Sequence, residues 1–274
     1  NNVRRPLINT LNLSHLLPGA SALWAGPERN SHLEAPPLIV TETTGATPFR
    51  LVTHVADVGH TLILGPTGSG KSTLLGILEA QFMRYSGSQV YIFDKGGSAR
   101  TLTTGMGGDY YELGTQESEL SLQPLGAINE ESEKAWAHEW VLDILSKENV
   151  IITPQVKSSI WDALSSLATT PTDQRTLYGL TVHVQDEDLR KALFPYTYQG
   201  PHGKLLDGTN DNLRANRWQC FEMESIMETP QAVLPVLSYL FHRLESRFDG
   251  RPTMLVLDEA WLFLDNKSFS AKIR

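Results

Sequence analysis

The spacing of hydrophobic and polar positions predicts a strand–helix–strand unit in the first third of the chain. Residues Phe49–Val55 (FRLVTHV) alternate like a half-buried strand, while His60–Gly65 (HTLILG) and Ser88–Asp94 (SQVYIFD) are apolar runs typical of buried strands. Between these two runs, apolar residues recur every three or four positions from Lys71 to about Arg84, which predicts an amphipathic helix. Strand, helix and strand at this spacing indicate a βαβ unit with a parallel sheet.

Helical periodicity dominates the middle of the chain, and strand patterns return towards its end. The predicted elements are helices at Asn129–Asn149, Thr153–Ala168 and Asp186–Leu193, a strand at Arg217–Met223, a helix from Thr229–Pro230 onwards and a strand at Thr253–Glu259. Thr153 fits the N-cap position and Pro154 the first turn of the second helix. This order predicts an α/β fold whose mainly parallel sheet is interrupted by an inserted helical subdomain.

The same pattern divides the chain into four expected segments. Residues 1–48 are rich in Pro, Asn and Gly and are interpreted as a lead-in to the domain that follows. Residues 49–125 form the first portion of the α/β core, 126–212 the helical subdomain and 213–274 the second portion of the core. The chain opens at Asn1 and stops at Arg274, and we expect it to be a piece of a longer polypeptide.

Composition narrows the class of protein. The net charge is −8 and the pI about 5.5, which argues against a protein whose main surface grips DNA, although nucleic-acid binding by local basic patches stays open. Cys220 is the single cysteine, so an internal disulfide is impossible and a reducing compartment is the simple expectation. No run of about eighteen apolar residues is present that would span a bilayer.

The stretch GPTGSGKS has the spacing of a phosphate-binding loop, or Walker A motif. Glycines let backbone N–H groups turn inwards, and the helix N-terminus adds partial positive charge, so the loop suits phosphates. A chance glycine turn before a helix is the alternative, which an apolar run before the loop and an amphipathic helix after it disfavour. The predicted nucleotide-binding residues are Gly65, Pro66, Thr67, Gly68, Ser69, Gly70, Lys71, Ser72 and Thr73.

An acidic pair ends the last predicted strand, MLVLDE. A buried strand that delivers a carboxylate at its C-terminal end places it beside the phosphate loop of such folds. Asp258 would then bind Mg²⁺ with the Ser72 hydroxyl, and Glu259 would orient or deprotonate an attacking water. The alternative is a solvated turn after a strand. Lys71, which reaches the β- and γ-phosphates, and Glu259 are the predicted catalytic residues.

Two further acidic stretches are more ambiguous. The loop DKGGSAR follows the second buried strand, so Asp94, Lys95 and Ser98 are candidates to touch nucleotide, Mg²⁺ or a neighbouring subunit. An exposed glycine turn is the favoured interpretation from spacing alone. Three glutamates near residue 225 are interpreted as a solvated face, namely Glu222, Glu224 and Glu228.

Several separated blocks together resemble one known family. These are GHTLILGPTGSGKSTLL, YIFDKGGSAR, YYELG with SLQPLGAIN, AWAHEWV and LVLDEAWLFL, and the likeness runs from about Asn2 to the chain end. They are similar to the TrbE-type ATPases of conjugation and type IV secretion, within the RecA-like FtsK/HerA group of P-loop NTPases. The resemblance is more specific than the phosphate loop alone.

The resemblance implies an ATP hydrolase that uses ATP and Mg²⁺ to energise pilus assembly and substrate transfer. It implies a homo-oligomer, a hexamer or a hexamer of dimers, docked with other secretion components on the cytoplasmic face of the bacterial inner membrane. The family's Walker residues carry over onto Gly70, Lys71, Ser72, Asp258 and Glu259, and its loop after the second strand onto 94–98. Further strands, a polar sensor and trans-acting arginines follow the Walker B acids in that family, so no arginine finger is assigned.

Two other functions share the same fold and Walker residues. One is a DNA-translocating motor of the coupling-protein or FtsK/HerA type, for which DNA binding with a steep salt dependence would be the evidence. The other is a nucleotide-dependent scaffold in which ATP holds subunits together without turnover. The net negative charge of the chain and the sequence blocks that resemble the TrbE-type ATPases favour the secretion ATPase.

Overall fold

The structure, a computed structural model, describes residues 9–12, 24–115 and 120–258 of the 274-residue chain. The chain divides into two compact units, Asn1–Ser88 and Gln89–Arg274. The four-segment division at residues 48, 125 and 212 stays a prediction.

The first unit contains a β-hairpin. Strand β1 (Ile39–Glu42) pairs antiparallel with β2 (Pro48–Leu51), and the Thr43 and Thr47 hydroxyls hydrogen bond at 2.7 Å across the turn. Strand β2 is shorter than the predicted strand at Phe49–Val55. The chain turns back instead at residues 55–58, where the Val55 and Val58 backbones bond to each other.

Helix α1 (Lys71–Phe82) follows the glycine-rich loop, which confirms the helix predicted there. Leu78 and Phe82, on the predicted apolar face, are buried, whereas Leu74 at the start of that face is 39% exposed. The apolar face therefore becomes buried only from the second turn onwards.

The apolar run at 60–65 does not form the predicted strand. Its residues have no regular secondary structure, and the side chains of Leu62 and Leu64 are 75% and 81% exposed. An extended segment needs a neighbouring strand to satisfy its backbone groups, so an apolar run alone does not make a strand. The predicted βαβ unit is therefore wrong at its first strand.

The second unit is built on a parallel sheet of four strands in the order β4–β5–β3–β6. The strands are β3 (Gln89–Asp94), β4 (Asp109–Glu112), β5 (Trp218–Glu222) and β6 (Thr253–Leu257). All three pairings are parallel, with Val90 opposite Trp218 and Gln89 opposite Thr253. Since β3 and β5 are buried at every residue, the near-continuous apolar runs fit the interior of a parallel sheet. The α/β class predicted from the sequence is confirmed.

Helices connect β3 to β4, fill most of the chain between β4 and β5, and link β5 to β6. They are α2 (Arg100–Gly105), α3 (Glu131–Lys147), α4 (Pro154–Leu167), α5 (Leu177–His183), α6 (Glu187–Leu193), α7 (Gly203–Leu206), α8 (Glu224–Met227) and α9 (Pro230–Glu245), with short 3₁₀ turns at Thr172–Gln174 and Phe194–Tyr196. As predicted, Thr153 caps α4, because its hydroxyl accepts from Val156 N, and Pro154 occupies the first turn. Helix α9 continues through Pro235.

Aromatic side chains join the sheet to the helices. Phe93 of β3 stacks on Phe221 of β5 at 5.0 Å between ring centroids and on Phe241 of α9 at 4.9 Å. The indole of Trp140 in α3 donates to the Pro235 carbonyl at 3.0 Å. Phe93 and Phe221 directly precede the acidic residues that end β3 and β5, which are considered below.

No helix among the described residues combines the length and apolar character that a bilayer crossing requires.

Candidate functional site

The glycine-rich loop of the first unit has a backbone that only glycine adopts readily. Gly68 and Gly70 have φ of +78° and +87°, in the left-handed region that favours glycine, and Gly70 is the N-cap of α1. Ser69 N donates to Pro66 O at 3.3 Å, which closes the turn between them. The loop residues 65–70 are exposed. The backbone conformation therefore matches what a phosphate-binding loop requires.

Lys71 holds its ammonium against the start of this loop. Its Nζ donates to Gly65 O at 2.8 Å and to Pro66 O at 2.9 Å. Ser72 and Thr73 follow in the first turn of α1, and both are exposed. The first N–H groups of a helix have no acceptor within it, and with the helix dipole they attract anions. All nine predicted nucleotide-binding residues thus lie on one exposed loop–helix junction, and their role stays a prediction.

In the second unit, an acidic residue ends or directly follows each of the four parallel strands. Glu112, Glu222 and Asp94 are the last residues of β4, β5 and β3, and they lie opposite one another in the register of the sheet. Asp258 directly follows β6, and its N–H donates to Phe93 O at 2.9 Å. We call these four residues the carboxylate edge. Asp258 is therefore at the strand end expected of a Walker B aspartate, whereas Glu259 lies outside the described residues.

The carboxylate of Asp94 shapes the loop that follows β3. Asp94 is 2% exposed, and its Oδ1 accepts from Ser98 Oγ at 2.7 Å while its Oδ2 accepts from Ala99 N at 2.9 Å. Gly96 and Gly97 have φ of +84° and +70°. Both carboxylate oxygens of Asp94 thus accept hydrogen bonds from residues of the loop itself. A contact of Asp94, Lys95 or Ser98 with nucleotide, metal or a neighbouring subunit stays a prediction.

Glu222 is the residue of this region that sequence reasoning misread. It is 7% exposed rather than part of a solvated face, whereas Glu224 and Glu228 are exposed as expected. Its Oε1 accepts from Gly96 N at 2.9 Å and from Glu224 N at 3.0 Å. The signal was present in the sequence, since Glu222 ends the apolar run WQCFE as Asp94 ends QVYIFD. Parallel strands that each end in an acid bring those acids to one edge.

Tyr110 of β4 borders the carboxylate edge. Burial raises the pKa of its phenol, and electrostatic interactions with Cys220, Glu222, Asp94 and Glu112 raise it further. The Arg100 guanidinium lies 5.3 Å from the Tyr110 ring centroid and pairs with Glu112 at 3.1 Å. The phenol therefore keeps its proton near neutral pH, and Arg100 offsets some of the negative charge of this edge.

The chain is similar to conjugation and secretion proteins across its full length. It is 43% identical over 283 residues to conjugal transfer protein TrbE of Rhizobium radiobacter, covering all of this chain and 34% of that protein. It is also 43% identical over 281 residues to a probable conjugal transfer protein of Sinorhizobium fredii, likewise named TrbE, covering 42% of that protein. The type IV secretion system protein virB4 of Bartonella quintana is 28% identical over 84% of this chain. No family model matches the chain.

A solved structure shares the fold. The structure of VirB4 of Thermoanaerobacter pseudethanolicus superposes with a TM-score of 0.65, covering 82% of this chain and 68% of that chain, at 18% identity. At this identity the likeness establishes the fold alone. The chain spans about a third to two fifths of the length of the TrbE relatives it matches. It is thus homologous to a segment of the TrbE and VirB4 proteins, and the resemblance predicted from the sequence is confirmed.

Proposed function

We propose that this homologue of TrbE and VirB4 binds ATP at its glycine-rich loop and hydrolyses it to energise a conjugative or type IV secretion system. The observation that carries the proposal is the loop–helix junction, where left-handed glycines at 68 and 70 precede Lys71 at the first turn of α1. Backbone amides, a helix N-terminus and an ammonium together bind a polyphosphate well.

Each Walker residue has a distinct role in the proposed reaction. The loop amides hold the phosphates, and Lys71 exchanges its carbonyl partners, Gly65 O and Pro66 O, for phosphate oxygens. This exchange costs little free energy because those carbonyls lie in an exposed loop. Glu259 orients the water for in-line attack on the γ-phosphate, and a neighbouring subunit completes the site.

Ser72 and Asp258 are the residues that would hold Mg²⁺. One hydroxyl and one carboxylate suit this ion, because it takes oxygen ligands and usually keeps phosphate oxygens and waters as the others. When bound, Mg²⁺ neutralises charge on the β- and γ-phosphates. Within the described residues, no three His, Cys, Asp or Glu side chains form a metal site by themselves.

The biological setting follows from the relatives. Two are named as conjugal transfer proteins and others as type IV secretion system proteins. We infer that the protein acts as a homo-oligomer, a hexamer, with other secretion components at the cytoplasmic face of the inner membrane. The acidic balance of the chain and the names of these relatives favour a secretion ATPase over a DNA-translocating motor.

The Lys71→Ala variant tests the proposal. We expect the full-length, assembled protein to release phosphate from ATP and the variant to lose this activity by at least about a hundredfold, since a transition-state charge contact is removed. Lys157→Ala, on an exposed position of α4, is the matched control and should keep wild-type turnover. Full ATP turnover by Lys71→Ala would refute the assignment of the loop. Loss of conjugative or secretion transfer in cells carrying only Lys71→Ala would support the biological setting.

A further inference from the structure

A cavity of about 660 Å³ opens in the helical part of the second unit, in the stretch of chain between β4 and β5. Its lining comes from α5, the end of α4, the 3₁₀ turn at Thr172–Gln174 and the segment that follows α7. Pockets that bind ligands typically have volumes of about 300–1,000 Å³. All of the residues that line this cavity belong to the second unit. It is therefore a candidate binding site separate from the glycine-rich loop.

Two tyrosine rings line this cavity and stay partly exposed. The rings of Tyr178, in α5, and Tyr198 meet edge to face, with 5.0 Å between their centroids and an interplanar angle of 65°. Tyr178 is 37% exposed and Tyr198 is 60% exposed, although tyrosine rings gain free energy by burial. Val182, one turn after Tyr178 on α5, also lines the cavity and is exposed. These aromatic and apolar surfaces are thus accessible to a ligand.

A buried carboxylate, that of Asp207, holds the backbone of both tyrosines. Asp207 Oδ2 accepts from Tyr198 N at 2.7 Å, and Oδ1 and Oδ2 accept from Tyr178 N at 3.2 Å and 3.3 Å. These N–H donors offset the cost of burying the carboxylate, since hydrogen bonds to a charged acceptor are strong. One side chain thus fixes two segments that are separate in sequence, which favours a preformed aromatic pair.

The charged side chains of the lining favour a cationic ligand. Among the described residues that line the cavity, Asp173 and Asp207 are acidic, His183 is the histidine, and no lysine or arginine occurs. Arg175, which follows the 3₁₀ turn, instead donates to two backbone carbonyls at 3.0 Å and 3.1 Å. Aromatic faces attract cations through the quadrupole of the ring, and carboxylates attract them through their charge. An anionic ligand would gain neither interaction.

We propose that this cavity binds a basic side chain, an arginine or a lysine, on a protein partner. The cation packs against Tyr178 and Tyr198, and the exposed Asp173 supplies the opposite charge. The cavity is larger than one side chain, which leaves room for the adjoining peptide. Gln174 and Thr209 also line it, and their amide and hydroxyl groups suit a peptide backbone. This inference goes beyond the proposed function and does not depend on nucleotide binding.

Saturation-transfer NMR with the full-length assembled protein tests the inference. The probe is N-acetyl-arginine N-methylamide, and it is compared with N-acetyl-citrulline N-methylamide, which has nearly the same shape without the charge. We expect the arginine probe to bind saturably and the citrulline probe to bind at least about tenfold more weakly, because the cation–π and charge interactions are lost. Equal binding of the two probes would refute the proposal.

Two variants locate the arginine probe in the cavity. Tyr198→Ala should weaken its binding about threefold to tenfold, the range of one cation–π contact, and Asp173→Asn about twofold to fivefold, the range of one exposed ion pair. The matched controls should bind like wild type: Phe248→Ala removes an exposed aromatic outside the cavity, and Asp162→Asn removes an exposed carboxylate of α4. If Tyr198→Ala binds the probe as tightly as Phe248→Ala, the probe binds elsewhere and the proposal is wrong.

A titration with spermidine separates a protein partner from a free polyamine, which has the same cationic chemistry. If spermidine binds more tightly than the arginine probe and loses this binding in Tyr198→Ala, the ligand is a polyamine and the partner assignment fails. Weaker spermidine binding, or binding that does not depend on Tyr198, supports the proposal. Lys71→Ala should bind the arginine probe like wild type. Failure of the proposed ATPase function would therefore leave this inference standing, and the two are tested separately.

Discussion

The loop before α1 and the loop after β3 both depend on left-handed glycines, yet different interactions hold them. In the first loop, Gly68 and Gly70 set the backbone, and the bonds across it are local, from Lys71 to carbonyls five and six residues away. In the second, which contains Gly96 and Gly97, two buried carboxylates accept the bonds: Glu222, 126 positions away, from Gly96 N, and Asp94 from Ser98 Oγ and Ala99 N.

This difference explains why the first loop can be recognised from the sequence and the second cannot. A loop shaped by its own residues leaves a motif of fixed spacing, whereas a loop held from a distant strand leaves only a glycine pair. We also expect the second loop to be more rigid than the first, because the first loop is exposed and the second is hydrogen bonded to the end of a buried strand. The following predictions, from the largest expected effect to the smallest, test this contrast.

Glu259→Gln tests whether the first loop holds nucleotide for turnover or only for assembly. Replacing the proposed water-orienting acid should lower kcat for ATP hydrolysis by about a hundredfold to ten-thousandfold, while ATP binding measured by calorimetry is retained. Lys71→Ala, by contrast, should weaken both. Unchanged phosphate release by Glu259→Gln would show that Glu259 is not the catalytic acid.

Asp94→Asn tests whether a buried carboxylate holds the second loop. The amide oxygen of Asn can still accept from Ala99 N and its amide nitrogen can donate to Ser98 Oγ, but both hydrogen bonds lose their charged acceptor and so become weaker. The free energy of unfolding in urea should fall by about 1–3 kcal/mol. Asp162→Asn, at an exposed position of α4, is the control and should change little. Equal stability of Asp94→Asn and Asp162→Asn would contradict the carboxylate-held loop.

Gly70→Ala tests whether the first loop depends on backbone conformation alone. No heavy atom lies within 4 Å of the added Cβ, so the penalty comes from the φ of +87° and should be about 1–2 kcal/mol. ATP should bind about tenfold more weakly in calorimetry. Gly105→Ala is the matched control, because Gly105 lies in α2 with open space around it and an ordinary φ. If Gly70→Ala binds ATP with wild-type affinity, the left-handed backbone at position 70 is not needed for ATP binding.

Ser98→Ala gives the smallest effect and completes the comparison. Asp94 would keep its bond to Ala99 N and lose only that from Ser98 Oγ, which should lower the free energy of unfolding by about 0.5–1.5 kcal/mol. Urea denaturation measures it, with Thr104→Ala in α2 as a second hydroxyl deletion for scale. A loss larger than that of Asp94→Asn would show that Ser98 has a role beyond its bond to Asp94.

Sequence patterns predicted the site better where the relevant residues are neighbours. The loop at 65–73 and the Thr153 cap of α4 were both found from spacing within a few positions, and the structure shows the expected local geometry at each. The strand at 60–65 was predicted from its apolar run, yet it is absent because a run does not reveal whether a partner strand lies beside it. Glu222 was misread as solvated although it ends the apolar run WQCFE, whereas its bond to Gly96, 126 positions away, is a contact that no local pattern contains.

The sequence by itself determined the local features: the glycine positions, the lysine and hydroxyls of the loop–helix junction, the helix caps and the α/β alternation. Backbone preferences and short-range hydrogen bonds act within a few residues, so the order of amino acids carries them directly. Only the tertiary structure decided that Asp94 and Glu222 are buried, that four strands end in one carboxylate edge and that the run at 60–65 is no strand. Each of these depends on which distant segment lies alongside, and hydrogen bonding and burial between segments settle that choice.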